Sequence, residues 1–352
     1  MDRNTIVGLL LVGAILFGFS WYSSRQAKEV ARQKHVADSI ARAEGRLVET
    51  PENVADLLNT DSLRITSATQ QYNDAAVSDS LRRSRLGASI VDAEQGEERF
   101  FNVENEVISL TFSNLGGKIV DAELKNYKTF HDEPLKLYAE GSARFNMLFY
   151  LRDVYNSSVP VNTENLYFQC DLPGHVEIRE GDGVQMVSMK LPVDSTAYVE
   201  YLYTIYPKDY MIDFNVNFVG MDNHISNQQS LLNFSWGSIA PQQERGFLNE
   251  NRYSSISYKY PGDDGIDDLG MSEGSKNKTV KSNLQWIAFK QQFFSVILLA
   301  NDNYFMNSEL AFDTFAPEDK NLKQFSAQAN VMYSRNKTDY GFRFYFGPNK
   351  YN

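Results

Sequence analysis

The chain has 352 residues, a formal net charge of -11 and a single cysteine, Cys170. That length allows one large domain, or two ordinary ones, with a substantial core. The acidic balance, with no basic stripe to offset it, argues against a nucleic-acid partner, and one cysteine excludes an internal disulfide framework or a thiolate metal cluster.

Residues 1–5 are a short N-terminal tail. The segment Ile6 to Tyr22, IVGLLLVGAILFGFSWY, has 17 residues and no charge. That is the short end of what crosses a bilayer as a helix, and Trp21 and Tyr22 close it where an aromatic belt lies. A cleaved signal peptide needs a basic n-region and a small-x-small cleavage site. Here Asp2 and Arg3 precede the apolar run, and no such site follows Trp21. A retained transmembrane helix in contact with lipid is therefore predicted over 6–22. Residues 23–96 hold one aromatic, Tyr72, against 41 in 97–352. A stretch so poor in aromatics buries little apolar area, so 23–96 is predicted to be a polar stalk and linker. Its first part, rich in Ala, Lys, Arg and Glu, reads as a solvated helix ending near Gly45.

From residue 97 the period becomes two. Val120, Ala122 and Leu124 share one face of a segment. So do Val199, Tyr201, Tyr203 and Ile205; Ile212, Phe214, Val216 and Phe218; and Phe342, Phe344 and Phe346. Period two with one polar face marks antiparallel sheets covered on one side. Turn signals at Gly116-Gly117, Pro173-Gly174, Gly181-Asp182-Gly183 and Pro261-Gly262 separate the runs. The expectation is an all-β fold: one large antiparallel two-sheet β-sandwich over 97–352.

The same residues offer little catalytic chemistry. His35, His131, His175 and His224 are not spaced as a metal pair, and no nucleophile elbow, zinc-protease motif or phosphate-cradling loop occurs. No catalytic, cofactor-binding or metal-binding residue is assigned. The acid-rich loop from Gly262 to Gly270 departs from the EF-hand pattern and reads as solvated. Glu164 to Gln169 spells ENLYFQ, the recognition sequence of a plant-virus protease used to remove tags. Cys170 follows it rather than Gly or Ser, and its flanks continue as sheet sequence, so it is read as native.

Taken in order, the opening MDRNTIVGLLLV, the polar stalk and the β region resemble the amino-terminal part of the YidC family of membrane-protein insertases, in its Bacteroidetes form. Three internal stretches carry the resemblance: SNLGGKIVDAELKNY (113–127), LQWIAFKQQFFSVILL (284–299) and FYFGPNKY (344–351). Their residues Gly116, Gly117, Trp286, Ile287, Gln292, Phe293, Gly347 and Pro348 are assigned architectural roles. Gly116-Gly117 is a turn, Gly347-Pro348 a strand stop, and Trp286, Ile287, Phe289, Phe293 and Phe294 core.

The resemblance implies a sandwich built like those of mutarotases and sugar-binding proteins, set in the periplasm and contacting the Sec translocon (SecDF, SecYEG) and nascent membrane proteins. It implies localisation in the cell inner membrane through one span, with residues 23–352 in the periplasm. That orientation runs against Arg25, Lys28, Arg32 and Lys34, which taken alone place the C-terminal side in the cytoplasm. The family's insertion activity belongs to a downstream bundle of five helices. This sequence offers no second long apolar span after residue 22, so the expectation is an interaction module without that bundle, not an enzyme. A membrane-tethered carbohydrate-binding or epimerase-like sandwich is the alternative. It requires an acid/base pair in an aromatic-lined cleft. A ligand-free envelope scaffold is a third reading.

Overall fold

A computed structural model describes residues 78–349. The expected anchor (6–22), the stalk helix to Gly45 and the rest of the linker to residue 77 lie outside the described residues. Among the described residues, no helix is long and apolar enough to cross a membrane.

After helical residues 78–86 come a short helix, α1 (Ala88–Asp92), and strands β1 (Phe100–Glu104), β2 (Ile108–Ser113), β3 (Lys118–Lys128), β4 (Pro134–Lys136), β5 (Arg144–Arg152) and β6 (Ser158–Asn162). Next are β7 (His175–Glu177), β8 (Gln185–Pro192), β9 (Tyr198–Ile205), β10 (Met211–Val219), β11 (Leu231–Pro241) and a second helix, α2 (Phe247–Tyr253). The remainder is β12 (Ser255–Lys259), β13 (Asp267–Asp268), β14 (Lys276–Val280), β15 (Trp286–Lys290), β16 (Phe294–Ala300), β17 (Met306–Thr314), β18 (Asn321–Met332) and β19 (Asp339–Pro348).

The fold is all-β, as the alternation predicts. An eight-stranded sheet runs β13-β12-β15-β16-β19-β10-β9-β8, a six-stranded sheet β14-β17-β18-β11-β5-β6, and a five-stranded sheet β4-β3-β2-β1-β7. Every named strand pair is antiparallel except β1–β7. The expected sandwich therefore has two layers, with the second layer divided between two sheets. Phe145 of the six-stranded sheet meets Phe214 and Phe344 of the eight-stranded sheet edge-on, at 5.4 and 5.9 Å between ring centroids. Phe112 of the five-stranded sheet meets Tyr203 at 5.1 Å. Tyr201 and Tyr203 sit two apart on β9 and so point to one side. Tyr201 packs on Phe145 while Tyr203 packs on Phe112, so both smaller sheets cover the same face.

The faces read from β9, β10 and β19 are buried as expected, each residue 4% exposed or less. Two expectations differ. Val120 was placed inward with Ala122 and Leu124, but a bulge in the β2–β3 pairing sets Thr111 opposite Asp121 and Phe112 opposite Ile119. Ile119 takes the inward place and Val120 turns out, the usual effect of one extra residue on a period of two. The segment ending at residue 96 is not all linker, because Ile90 and Val91 of α1 are 1% and 2% exposed. Ala93 is buried beside them, and Leu86 packs against the same core.

One buried acid couples the fold to pH. Glu250 of α2 is 1% exposed. Its carboxylate accepts backbone N–H bonds from Gln243, at 3.0 and 3.1 Å to its two oxygens, and from Glu244 at 3.0 Å. Burial outweighs those bonds and pushes its pKa up from 4.5 to about 7, with nearby Glu244 adding to the rise. Between those two values the folded protein keeps a proton that the unfolded chain has lost, so stability falls as pH rises through that window. Below it the contribution vanishes, and above it the loss is constant at roughly 3 kcal/mol. Thermal melts from pH 5 to 8 are expected to show this decline in the parent and a flatter profile in Glu250→Gln.

Candidate interaction surface

The outer face of the eight-stranded sheet is polar over β9 and β10, where Glu200, Asp213, Asn215 and Asn217 point out and Arg343 of β19 bonds Asp213 at 2.9 Å. Over the β15–β16 hairpin the alternation fails. The β15–β16 hairpin sets Trp286 opposite Leu299 and Ala288 opposite Ile297, and Tyr345 of β19 lies beside Ile297. Their neighbours Ile287, Phe289, Val296 and Leu298 already fill the core, so both faces of this hairpin carry apolar side chains. The outward side chains, with Met211 of β10 and Ile266 from the acid-rich loop, line a groove of about 400 Å³. Ser257, Lys290, Ser295 and Asn349 are its polar members.

The end of β19 fixes one wall. A Cβ on Gly347 would lie 2.6 Å from the Tyr345 hydroxyl and 3.1 Å from the Tyr210 ring, so only glycine leaves Tyr345 its place. That hydroxyl donates to the Pro348 carbonyl at 2.7 Å, and burial pushes its pKa up to about 12. Beyond it, the Asn349 amide donates to the Gln291 and Gln292 carbonyls at 3.1 and 3.3 Å, and its backbone N–H to the Phe293 carbonyl at 2.7 Å.

Two of the three sequence motifs thus meet at one place. Trp286 and Pro348 line the groove, Gln292 and Phe293 form the adjoining hairpin tip, and Gly347 shapes the wall. Ile287 is core at 1% exposure, as are Phe289 and Phe294. Phe293, expected in the core, is 50% exposed: the hairpin reverses at Gln291–Phe293, and the ring falls on the tip. Trp286 is half-buried on the outer face rather than in the core, because pairing with Leu299 gives it that face. Gly116 and Gly117 lie elsewhere, in the β2–β3 turn, with φ of +77° and +62°. The Tyr203 hydroxyl donates to the Gly117 carbonyl at 2.8 Å. Met211, Ile297, Leu299 and Tyr345 were not singled out from sequence. For Ile297 and Leu299 a signal is present, apolar residues on both faces of the strand within LQWIAFKQQFFSVILL, but it reads equally as a strand buried on both faces; Met211 and Tyr345 lie outside that stretch.

The epimerase alternative needs an acid/base pair in a cleft. The two histidine–carboxylate pairs among the described residues are His224–Asp194 at 2.8 Å and His175–Glu104 at 3.4 Å, and neither lines this groove. Cys170 is buried, which pushes its thiol pKa up. Among the described residues there is no group of three or more His, Cys, Asp or Glu placed to hold a metal ion.

The described residues thus form a two-layer β domain whose solvent side carries an apolar groove. Residues 101–352 match the YidC periplasmic domain family, and the chain belongs to that family. It is 32% identical over its whole length to a membrane protein insertase YidC of Parabacteroides distasonis, and 33% identical to one of Porphyromonas gingivalis, covering 52% of each. The chain thus spans about half the length of these curated relatives. Among solved structures it is similar to a galactose mutarotase related enzyme from Lactobacillus acidophilus (TM-score 0.42, 10% identity, 70% of this chain and 97% of that one). It is also similar to a galactose mutarotase-like protein from Lactobacillus casei (TM-score 0.41, 9% identity, 70% and 99%). Likenesses at that level carry no inference about activity.

Proposed function

We propose that the chain is the anchor and periplasmic interaction module of a membrane-protein insertase, assisting the insertion and folding of inner-membrane proteins with or without the Sec translocon. On this reading residues 6–22 hold it in the inner membrane and residues 23–352 lie in the periplasm. The module works by docking, without chemistry of its own, and its partners are SecDF, SecYEG and nascent membrane proteins. The observation that carries the docking role is the groove: an apolar surface on the solvent side of a sheet is costly unless something covers it. Trp286, Tyr345 and Met211 are the large anchors typical of a contact centre.

The test is made in cells with the full chain. Photo-crosslinking side chains at Ile297 and Leu299 are expected to capture translocon components or inserting membrane proteins. Crosslinks confined to the chain itself would remove this face from the docking role. A reporter active only in the periplasm, fused after residue 100, is expected to be active, and cytoplasmic activity there would overturn the location.

A further inference from the structure

The hexapeptide ENLYFQ, unused by the docking reading, lies at the junction of all three sheets. Thr163, just before it, accepts the Met147 N–H of the six-stranded sheet at 2.9 Å, and the Tyr201 hydroxyl of the eight-stranded sheet donates to it at 3.2 Å. The Leu166 carbonyl accepts from the Gly116 N–H at 2.9 Å, and the Phe168 N–H donates to the Asn114 carbonyl at 2.8 Å, both beside the five-stranded sheet. Tyr167 donates to the Ala93 carbonyl at 2.7 Å, after α1. Gln169 and Lys190 of β8 exchange two backbone bonds, at 2.8 and 2.9 Å. Leu166, Phe168 and Cys170 point into the core at 4%, 2% and 4% exposure. Gly117 backs onto Phe168, and a Cβ there would lie 3.1 Å from its ring.

We infer that Glu164–Gln169 is a latent proteolytic site, closed by the fold and cut between Gln169 and Cys170 only when the junction of the three sheets opens. A protease reads such a segment by pairing with its extended backbone and seating alternate side chains in pockets. Here the N–H groups of Tyr167, Phe168 and Gln169 are already donated inside the domain, and the Leu166 and Phe168 side chains are in the core. Cutting consumes a water and leaves a carboxylate on Gln169 and an amine on Cys170. It requires the bonds to α1, β8 and the β2–β3 turn to break first. Because such opening costs up to the global unfolding free energy, cleavage reports on the seam between the sheets.

The experiment compares the folded full chain with a synthetic peptide of residues 162–172, using the plant-virus protease that recognises ENLYFQ. The folded chain is expected to be cut more than about 100-fold more slowly than the peptide. Gln169→Ala, at an exposed position, is expected to abolish cutting at this bond in the unfolded chain, which assigns the product. Gly117→Ala leaves the sequence of the hexapeptide unchanged but crowds Phe168 and Tyr201 from outside it, and is expected to raise the rate for the chain at least about tenfold while near-ultraviolet dichroism reports on the fold. Cutting of the folded parent within about tenfold of the peptide rate would overturn the closed site. An unchanged rate in Gly117→Ala would overturn the role of that packing.

Discussion

Deleting residues 339–352 is expected to leave a chain without a cooperative fold. The deletion removes β19, which lies in the middle of the eight-stranded sheet: Phe342 is opposite Phe214 on β10 and opposite Ala300 on β16. Its loss exposes two inner edges at once, each with a row of unpaired N–H and C=O groups. It also takes Tyr340, Phe342, Phe344 and Phe346 from the core, all 4% exposed or less. At about 2 kcal/mol for each buried ring, the apolar loss alone falls within the 5–15 kcal/mol by which a typical domain is stable. The measurement is thermal unfolding followed by near-ultraviolet dichroism. A sharp transition within a few degrees of the parent would mean that β10 and β16 can close on each other without β19.

That centrality was not visible in the sequence, although the strand was. Phe342, Phe344 and Phe346 announce a half-buried strand by period alone. Period says nothing about neighbours, and β19 pairs with a segment more than 120 residues away as readily as with one 40 away. The same limit explains why a two-sheet sandwich was expected where the second layer is two sheets. Where the period is interrupted, sequence reading fails in a definite way. The β2–β3 bulge reverses Val120. On β18 the pairing jumps from Lys323–Ala240 to Asn321–Pro241, which turns both Leu322 and Lys323 inward, each 0% exposed. A lysine at that depth would be placed in solvent from its chemistry. Here its ammonium donates to the Ser254 and Ser272 carbonyls at 2.6 and 2.9 Å and lies 4.1 Å from the Phe312 ring centroid. Burial lowers its pKa to about 8. The groove was half legible. Trp286 and Phe293 read as core and Gly347-Pro348 as a strand stop, because a strand apolar on both faces looks the same whether its second face meets another layer or solvent.

Phe214→Ala is expected to be the most damaging single substitution of a side chain. The ring is fully buried and stands where the layers meet. It stacks on Tyr203 at 4.6 Å, meets Phe145 of the opposite layer and Tyr201 at 5.4 Å each, and lies 5.5 Å from Phe344 and 6.0 Å from Phe342. Truncation of a core phenylalanine costs about 3–5 kcal/mol, depending on how far the surroundings collapse into the space. Collapse is restricted here. Tyr203 is held by its hydroxyl on the Gly117 carbonyl at 2.8 Å and Tyr201 by its hydroxyl on Thr163 at 3.2 Å. Moving either ring inward would break a buried hydrogen bond, which itself costs about 1–3 kcal/mol. The upper half of the range is therefore expected, a fall in melting temperature on the order of 10 °C for a domain of this size. Phe293→Ala provides the comparison, since that ring is half exposed on a hairpin tip and its loss is expected to change stability by less than about 0.5 kcal/mol. Equal melting temperatures for the two variants would show that Phe214 does not bridge the layers as its contacts require.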